Sequence, residues 1–253
     1  MSGHSKWATI KRKKAATDSA RGRLFTRLIK EITIAARNGG GNPEGNPRLR
    51  LAIQTAKTNN MPADNIKRAI QKGTGELPGV AYEEITYEGY GPAGAAILVD
   101  VVTDNANRTV SEIRHIFSRN NGNLGQSGSV AWMFHKKGHI VIPTTGQKKP
   151  MSEDDILGII LDAGADDLQT EAGMFTVTTA PQAFEAVKKA LEENSILIES
   201  ASLQKIPQNT VKVTGRDAEN VVKLMEALEE HDDVQNVSSN FDIDDKELAA
   251  LSS

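Results

Sequence analysis

Residues 3–30, GHSKWATIKRKKAATDSARGRLFTRLIK, pass from a small polar, cationic arm into a helix-forming segment, and their pattern sets the organisation of everything that follows. Met1 to Ala16 offers one large aromatic residue, Trp7, among Lys6, Lys11, Arg12, Lys13 and Lys14. Such a segment buries little by itself. Trp7 can stack on a base or sugar, or anchor the arm to the helices behind it; the sequence leaves both open. From Asp18, an acceptable N-cap, the spacing predicts a helix through Asn38, ended by Gly39-Gly40-Gly41. At 100° per residue Leu24, Phe25, Leu28, Ile29, Ile32, Ala35 and Ala36 share one arc, and Arg23, Arg27, Lys30 and Arg37 the opposite one. Ile34 falls inside the basic arc and breaks the pattern.

Two further helices complete a basic bundle. Asn46-Pro47 opens one, with Leu49, Ala52, Ile53 and Ala56 inward and Arg48, Arg50 and Lys57 outward. Pro62 opens the other, closed by Gly73, with Ile66, Ala69 and Ile70 inward and Lys67, Arg68 and Lys72 outward. With Arg21 these cations raise residues 1–72 to 16 Lys+Arg against 4 acids, a net charge of +12 within a chain of −3, so residues 73–253 carry −15. Charge divided in this way is the footprint of a polyanion binder, with phosphate backbone the commonest polyanion. An ordinary solvated surface mixes its signs.

At 253 residues the chain is long enough for two or three domains, and 38% hydrophobic with 25% charged residues is globular composition. The absence of cysteine excludes disulfides, zinc ribbons, thiolate nucleophiles and iron–sulfur clusters. No apolar run of signal-peptide length follows Lys14, and nowhere do 18 apolar residues stand together, so a cytoplasmic protein without membrane association is expected.

GTGELPG, residues 73–79, reads as a linker. Strands follow at Glu84–Tyr90 and Ala95–Thr103 around the turn Gly91-Pro92-Ala93-Gly94, then a helix over Asn107–Asn120. After the glycine-rich GNLGQSGS (122–129) come strands at Val130–Phe134 and Gly138–Ile142. Helix Ser152–Ala163, strands at 167–170 and 174–178, helix Pro181–Glu193 and strand Ile196–Leu203 then give a β-α-β-β-α-β order, which is ferredoxin-like. Strand Thr210–Val213, helix Asp217–Glu230 and strand Val234–Ser238 lack a partner of their own, and joining them to the earlier ββα piece makes the ferredoxin-like segment an insertion. The expected fold is α+β in three domains: a basic helical bundle (1–79), an α/β domain (80–129 with 205–241) and an inserted ferredoxin-like α/β domain (130–204). An acidic tail, 242–253, is expected to fray.

Read in series, GHSKWATIKRKK (3–14), RGRLFTRLIKEI (21–32), AARNGG (35–40), LRLAIQTAKTNNMPADNIKRAIQKG (49–73), YEGYGPAGAA (87–96), TDNANRT (103–109) and GSVAWMF (128–134) resemble the YebC/PmpR family of bacterial regulatory proteins, whose relatives include a mitochondrial translational activator. One departure is Asn120-Asn121-Gly122-Asn123, where the family usually carries a Gly-Gly pair. The resemblance implies three domains, a cytoplasmic address and no enzymatic activity. It further implies either DNA-binding transcriptional regulation or ribosome-associated RNA binding that eases translation through difficult sequences such as proline runs.

Other chemistry finds little support. GTGELPG lacks the Gly-Lys-Ser/Thr of a Walker A loop, and no GxGxxG opens a helix. GNLGQSGS can hold an anion on converging backbone N–H groups, though a tight connection is the simpler reading. His135 and His139 flank a glycine that suggests a turn, without a third metal ligand nearby, and no serine sits in a nucleophile elbow. In Asp104-Asn105-Ala106-Asn107-Arg108-Thr109, Asp104 and Asn107 read as capping residues, while Arg108 and Arg114 form a possible polar lip toward RNA or protein. Trp132 and Phe134 flank Met133 as on a strand, with one face packed.

The candidate nucleic-acid-binding residues are therefore Lys6, Trp7, Lys11, Arg12, Lys13, Lys14, Arg21, Arg23, Arg27, Lys30, Arg48, Arg50, Lys57, Lys67, Arg68 and Lys72. No catalytic residue, metal or cofactor is expected. The expected partner is DNA or ribosomal RNA, with a protein–protein adaptor acting through the acidic domains as a further alternative; the sequence is silent on oligomeric state.

Overall fold

The computed structural model describes residues 18–149, 151–171, 173–244 and 247. Helix α1 runs Asp18–Gly39, α2 Pro47–Thr58 and α3 Ala63–Thr74. Leu28, Ile32, Ala35 and Ala36 of α1 meet Leu49, Ala52 and Ala56 of α2 and Ile66 and Ala69 of α3 in one apolar cluster, with Leu24, Phe25 and Ile29 partly buried at its edge. Asn46 closes two helices together. Its carboxamide oxygen accepts the Leu49 N–H (3.0 Å) at the start of α2, and its amide donates to Ala35 O (2.7 Å) and Gly40 O (2.9 Å) at the end of α1. Gly73 lies within α3, shortly before its left-handed cap at Gly75, because α3 crosses α1 there so closely that a Cβ would sit 2.4 Å from Thr33 O.

The second domain is built on a four-stranded antiparallel sheet of order β3-β1-β2-β9: β1 Glu83–Tyr90, β2 Ala96–Thr103, β3 Asn123–Leu124 and β9 Val234–Ser239. Helices α4 (Ala106–Arg119) and α7 (Gly215–Glu230) pack their apolar residues with Ile97, Val99 and Val101 of β2 in a common core. A mostly apolar run suits β2, which is paired along its length with β1 on one side and β9 on the other. Phe117 of α4 leaves no room at Gly89, where a Cβ would lie 2.6 Å from the ring. Asn121 adopts φ +58°, which asparagine tolerates. Short strands β8 (Val211–Lys212) and β10 (Phe241–Asp242) pair in parallel, and Ile243 is fully buried in the core. The expected frayed tail is thus packed through Ile243; residues 245, 246 and 248–253 lie outside the described residues.

Trp132–Gln208 forms a compact unit of its own, inserted in the chain between the β3 region and β8. Strands β4 (Phe134–Pro143), β5 (Ala165–Glu171), β6 (Met174–Thr179) and β7 (Ser200–Pro207) make an antiparallel sheet of order β5-β6-β4-β7, with α5 (Glu153–Leu161) and α6 (Phe184–Glu193) packed on it. This is the ferredoxin-like topology expected from the element order. Two local expectations fail. Of the expected strand Val130–Phe134, Val130–Met133 is not extended but leads through a 3-10 turn, Ala131–Met133, into β4, which begins at Phe134. Gly138 is not a turn: it lies mid-strand opposite Thr179 and Leu203, because Thr179 Oγ1 and the Phe184 ring occupy the space of a side chain. His135 and His139 accordingly lie on one continuous strand. Likewise β7 begins at Ser200 rather than Ile196, since Ser195 takes φ +59° and the Ile196 N–H returns to Leu191 O (3.0 Å) at the end of α6.

Candidate nucleic-acid interface

The cations of the helical module fall into two sets. The first set is spent inside the protein, along the face of α1 that the helical wheel assigns to solvent. Lys30, 7% exposed, donates to Asp233 Oδ1 (2.7 Å) and Asp232 O (3.0 Å) at the corner between α7 and β9. The other oxygen of Asp233 accepts from Thr109 Oγ1 (2.7 Å), Arg108 (2.9 Å) and Thr103 Oγ1 (3.1 Å). Burial alone would raise the Asp233 carboxyl, but the Lys30, Thr109 and Arg108 donors outweigh it and hold the group far below the usual carboxylate range. One turn earlier the Arg27 guanidinium donates to Glu229 O, and burial draws its pKa down against the pull of Glu229. Two turns later Arg37 donates to Tyr82 O (2.9 Å). Ile34, 2% exposed, stands between them, so the apparent flaw in the wheel marks a second packing face of α1.

Arg48 belongs to the same set despite being exposed. Its guanidinium grips Glu31 of α1 in a two-point contact (2.7 and 2.9 Å) and also donates to both oxygens of Glu84 on β1. These hydrogen bonds, Glu31 first, raise the Arg48 pKa, and the Arg48 hydrogen bond holds Glu84 below its ordinary value. Lys30, Arg27 and Arg48 are therefore corrected from solvent-facing cations to ties between the module and the second domain. The sequence carried no sign of this, because their partners lie as far as about two hundred residues away: Lys30 and Asp233 are separated by 203 positions.

The second set remains open. Arg21, Arg50, Lys57, Lys67, Arg68 and Lys72 are exposed, and Arg23 half-buried. Arg21 lies 5.6 Å from the centre of the Phe25 ring, and Arg50 reaches the carbonyl of Pro43 (3.3 Å). No salt bridge occupies these seven among the described residues. Lys6, Trp7, Lys11, Arg12, Lys13 and Lys14 lie outside the described residues.

Three other sequence candidates resolve into structure. Asn105, not Asn107, caps α4 by accepting the Arg108 N–H (3.1 Å), and Arg108 is tied to Asp104 (2.8 Å) as well as Asp233, so it is no free lip. The glycine-rich loop does hold an anion, but an internal one: Glu88, 6% exposed, accepts the N–H groups of Gly128 (2.6 Å), Val130 (2.7 Å) and Ala131 (2.8 Å). A cluster missed in the sequence, Glu112, His231 and Asp233, has the spacing of metal ligands. His231 Nε2 contacts Glu112 (2.8 Å) and its Nδ1 accepts the Asp233 N–H (3.1 Å). With Lys30 and Arg108 already on Asp233, the donor set fits an ion-pair network and not a cation site.

The family follows from comparison of the whole chain. Residues 5–76 match the TACO1/YebC protein N-terminal domain and residues 82–241 the TACO1/YebC second and third domain. The chain belongs to the TACO1/YebC family. Among TACO1/YebC relatives, a protein of Solibacter usitatus is 59% identical over 252 residues, covering 100% of both chains, and one of Chlorobium luteolum is 57% identical over 252 residues, covering 99% of both. Each is named "Probable transcriptional regulatory protein". The crystal structure of a conserved hypothetical protein from Aquifex aeolicus is 47% identical, with a TM-score of 0.81 over 90% of this chain and 93% of that one. In this TACO1/YebC chain a helical domain precedes two α/β domains; no helix among the described residues is long and apolar enough to cross a membrane.

Proposed function

We propose that this protein is a non-enzymatic, cytoplasmic regulator of gene expression that binds nucleic-acid phosphate through its helical module, with duplex DNA as the target and transcription as the process. One observation carries the reading: after internal ties consume Arg27, Lys30, Arg37 and Arg48, the module still exposes Arg21, Arg50, Lys57, Lys67, Arg68 and Lys72. Cations without carboxylate partners are free to displace counterions from a phosphate backbone. The names of the relatives support the choice of transcription. The set positions the protein on a backbone and reads no sequence.

A second reading, RNA on the ribosome, is favoured by Trp7 among Lys6, Lys11, Arg12, Lys13 and Lys14, since an aromatic residue within a cationic segment suits unstacked bases. Co-sedimentation with ribosomes across a salt series, with duplex DNA in excess, separates the two. Release into the DNA-bound fraction at every salt supports the first reading. Retention on ribosomes transfers the function to translation, and binding to neither leaves a protein–protein adaptor.

A further inference from the structure

The inserted domain carries a groove of about 580 Å³ between the loop that follows β4, helix α5 and the end of α6. A volume of this size belongs to the range of small-molecule sites. Its floor is apolar, formed by Met151 and Ile159, both half-buried against the domain's core. Two walls are held in place by hydrogen bonds of their own. Gln147 donates to Pro143 O (2.9 Å) and Leu197 O (3.0 Å) and accepts the Leu197 N–H (2.8 Å), which staples the loop to the segment after α6. Asp155 accepts the Ser152 N–H (2.8 Å) and hydroxyl (2.7 Å) on a single oxygen, Oδ2. Those two donors, the backbone first, hold its carboxyl below the usual carboxylate range, so it is an anion at neutral pH. Walls already fixed need little ordering when a ligand enters.

The polar groups left over define the ligand. Lys148 and Lys149 are exposed and line the same groove as Asp155, and no hydrogen bond or ion pair among the described residues engages either of them. Cation and anion share one groove without meeting. Asp155 Oδ1, Ser195 Oγ and the Asn194 carboxamide oxygen are likewise unpartnered among the described residues, since Asn194 uses only its NH2, toward Ala190 O (2.9 Å). Ser195 also holds φ +59°, a left-handed conformation that glycine adopts without strain, and strain of this kind gathers at ligand sites. A ligand that matches the groove has an ammonium for Asp155, a carboxylate for the lysines and an apolar body for the floor. We propose that the groove binds a zwitterion of this kind, an apolar α-amino acid or a short peptide of such residues, with its amino end at Asp155 and its carboxylate at Lys148 and Lys149. The inference does not rest on the reading that the chain binds nucleic acid.

The test titrates the isotope-labelled full chain with leucine and with leucyl-leucine, following the amide signals of Lys148, Ile159 and Ser195 by NMR. N-acetyl-leucine lacks the ammonium, leucinamide the carboxylate and glycine the apolar body. Saturable shifts at the three amides are expected with leucine or leucyl-leucine, the tighter of the two giving the length that the groove takes. Each end-blocked leucine is expected to bind roughly ten- to a hundredfold more weakly, and glycine to give no shift. Lys148→Ala combined with Lys149→Ala should erase the advantage of leucine over leucinamide, and Asp155→Asn its advantage over N-acetyl-leucine. Ser195→Gly removes the hydroxyl and the strain together, so it should weaken binding roughly two- to tenfold without lowering the thermal midpoint. No shift at these amides with any ligand up to about 10 mM overturns the site. Equal binding of free and end-blocked leucine overturns the assignment of its charged ends, and binding unchanged in the lysine variant overturns the location.

Discussion

Lys30 and Lys67 are lysines of one helical module, on helices that pack against each other, yet they do opposite work. Lys30 is 7% exposed and bonded to Asp233, while Lys67 is exposed and, among the described residues, has no carboxylate within ion-pair distance. The same contrast separates Arg48, held by two glutamates, from Arg50 two residues on, which among the described residues meets backbone carbonyls and no carboxylate. A positive charge buried in a seam is structural: it fixes the module on the second domain and is unavailable to a ligand. A positive charge on the outer face of α2 or α3 contributes little to folding and is available for phosphate. Net charge of +12 for residues 1–72 therefore overstates the binding surface, and the division between seam and outer face can be tested by removing one charge at a time.

The largest effect is expected at Asp233. Alanine there strands the buried Lys30, removes one of the two carboxylates that hold Arg108, and takes an acceptor from the Thr103 and Thr109 hydroxyls. Removing one partner of a buried pair costs about 3–5 kcal/mol. Urea denaturation of Asp233→Ala should show a loss in this range, and Lys30→Met combined with Asp233→Leu should recover much of it, because the buried charge is then absent on both sides. A loss below about 1 kcal/mol, the scale of an exposed pair, would mean that the seam is not fixed by this network. The same group sets an acid limit. Because the folded carboxyl titrates below its unfolded value of about 3.9, its contribution is complete above that pH and is lost as pH falls toward the folded pKa. Stability should then fall with acid by up to about 1.4 kcal/mol per pH unit more in the wild type than in Asp233→Asn. Parallel pH profiles would exclude Asp233 as the titrating group.

Glu88 gives the next largest effect and a control within the second domain. Three backbone N–H groups converge on its carboxylate, and charge-assisted hydrogen bonds contribute about 1.5–3 kcal/mol. Glu88→Gln keeps the shape but turns an NH2 toward N–H donors, so a loss of roughly 2 kcal/mol is expected in denaturant melts, with faster amide exchange at Gly128, Val130 and Ala131. Unchanged exchange at these three amides would show that the loop holds its form without the carboxylate.

The fold was legible wherever local pattern decided it. Periodicity exposed the three helices of the module, and the β-α-β-β-α-β order gave the inserted sheet, because both depend on neighbours in sequence. What escaped reading depended on long-range partners. Ile34 looked misplaced until it proved buried on a second packing face of α1, Gly138 looked like a turn until Phe184 and Thr179 filled its side-chain space, and the loop before Trp132, read chiefly as a tight connection, turned out to be closed on the Glu88 carboxylate. Within the candidate site, the residue types were readable but their availability was not. No property of Arg27 or Lys30 in the sequence distinguishes them from Arg23, since the difference lies in the carbonyls and carboxylate supplied by residues 229–233.

The smallest expected effects on stability separate seam from outer face most sharply. Arg48→Ala removes ion pairs that are about 40% exposed, for which roughly 1 kcal/mol or less is typical of each, and because this cation is already neutralised the salt dependence of nucleic-acid binding should not change. Combined Lys67→Ala, Arg68→Ala and Lys72→Ala should move stability by less than about 0.5 kcal/mol per site, since these side chains are exposed. It should nevertheless flatten the slope of log Kobs against log salt by about 0.7–0.9 for each phosphate that is no longer neutralised. The two variants thus predict opposite pairs of outcomes, a stability change with an unaltered salt slope and an altered slope with nearly constant stability. If Arg48→Ala flattens the slope and the α3 triple variant does not, phosphate reaches the seam rather than the outer face, and the module must detach from the second domain to bind.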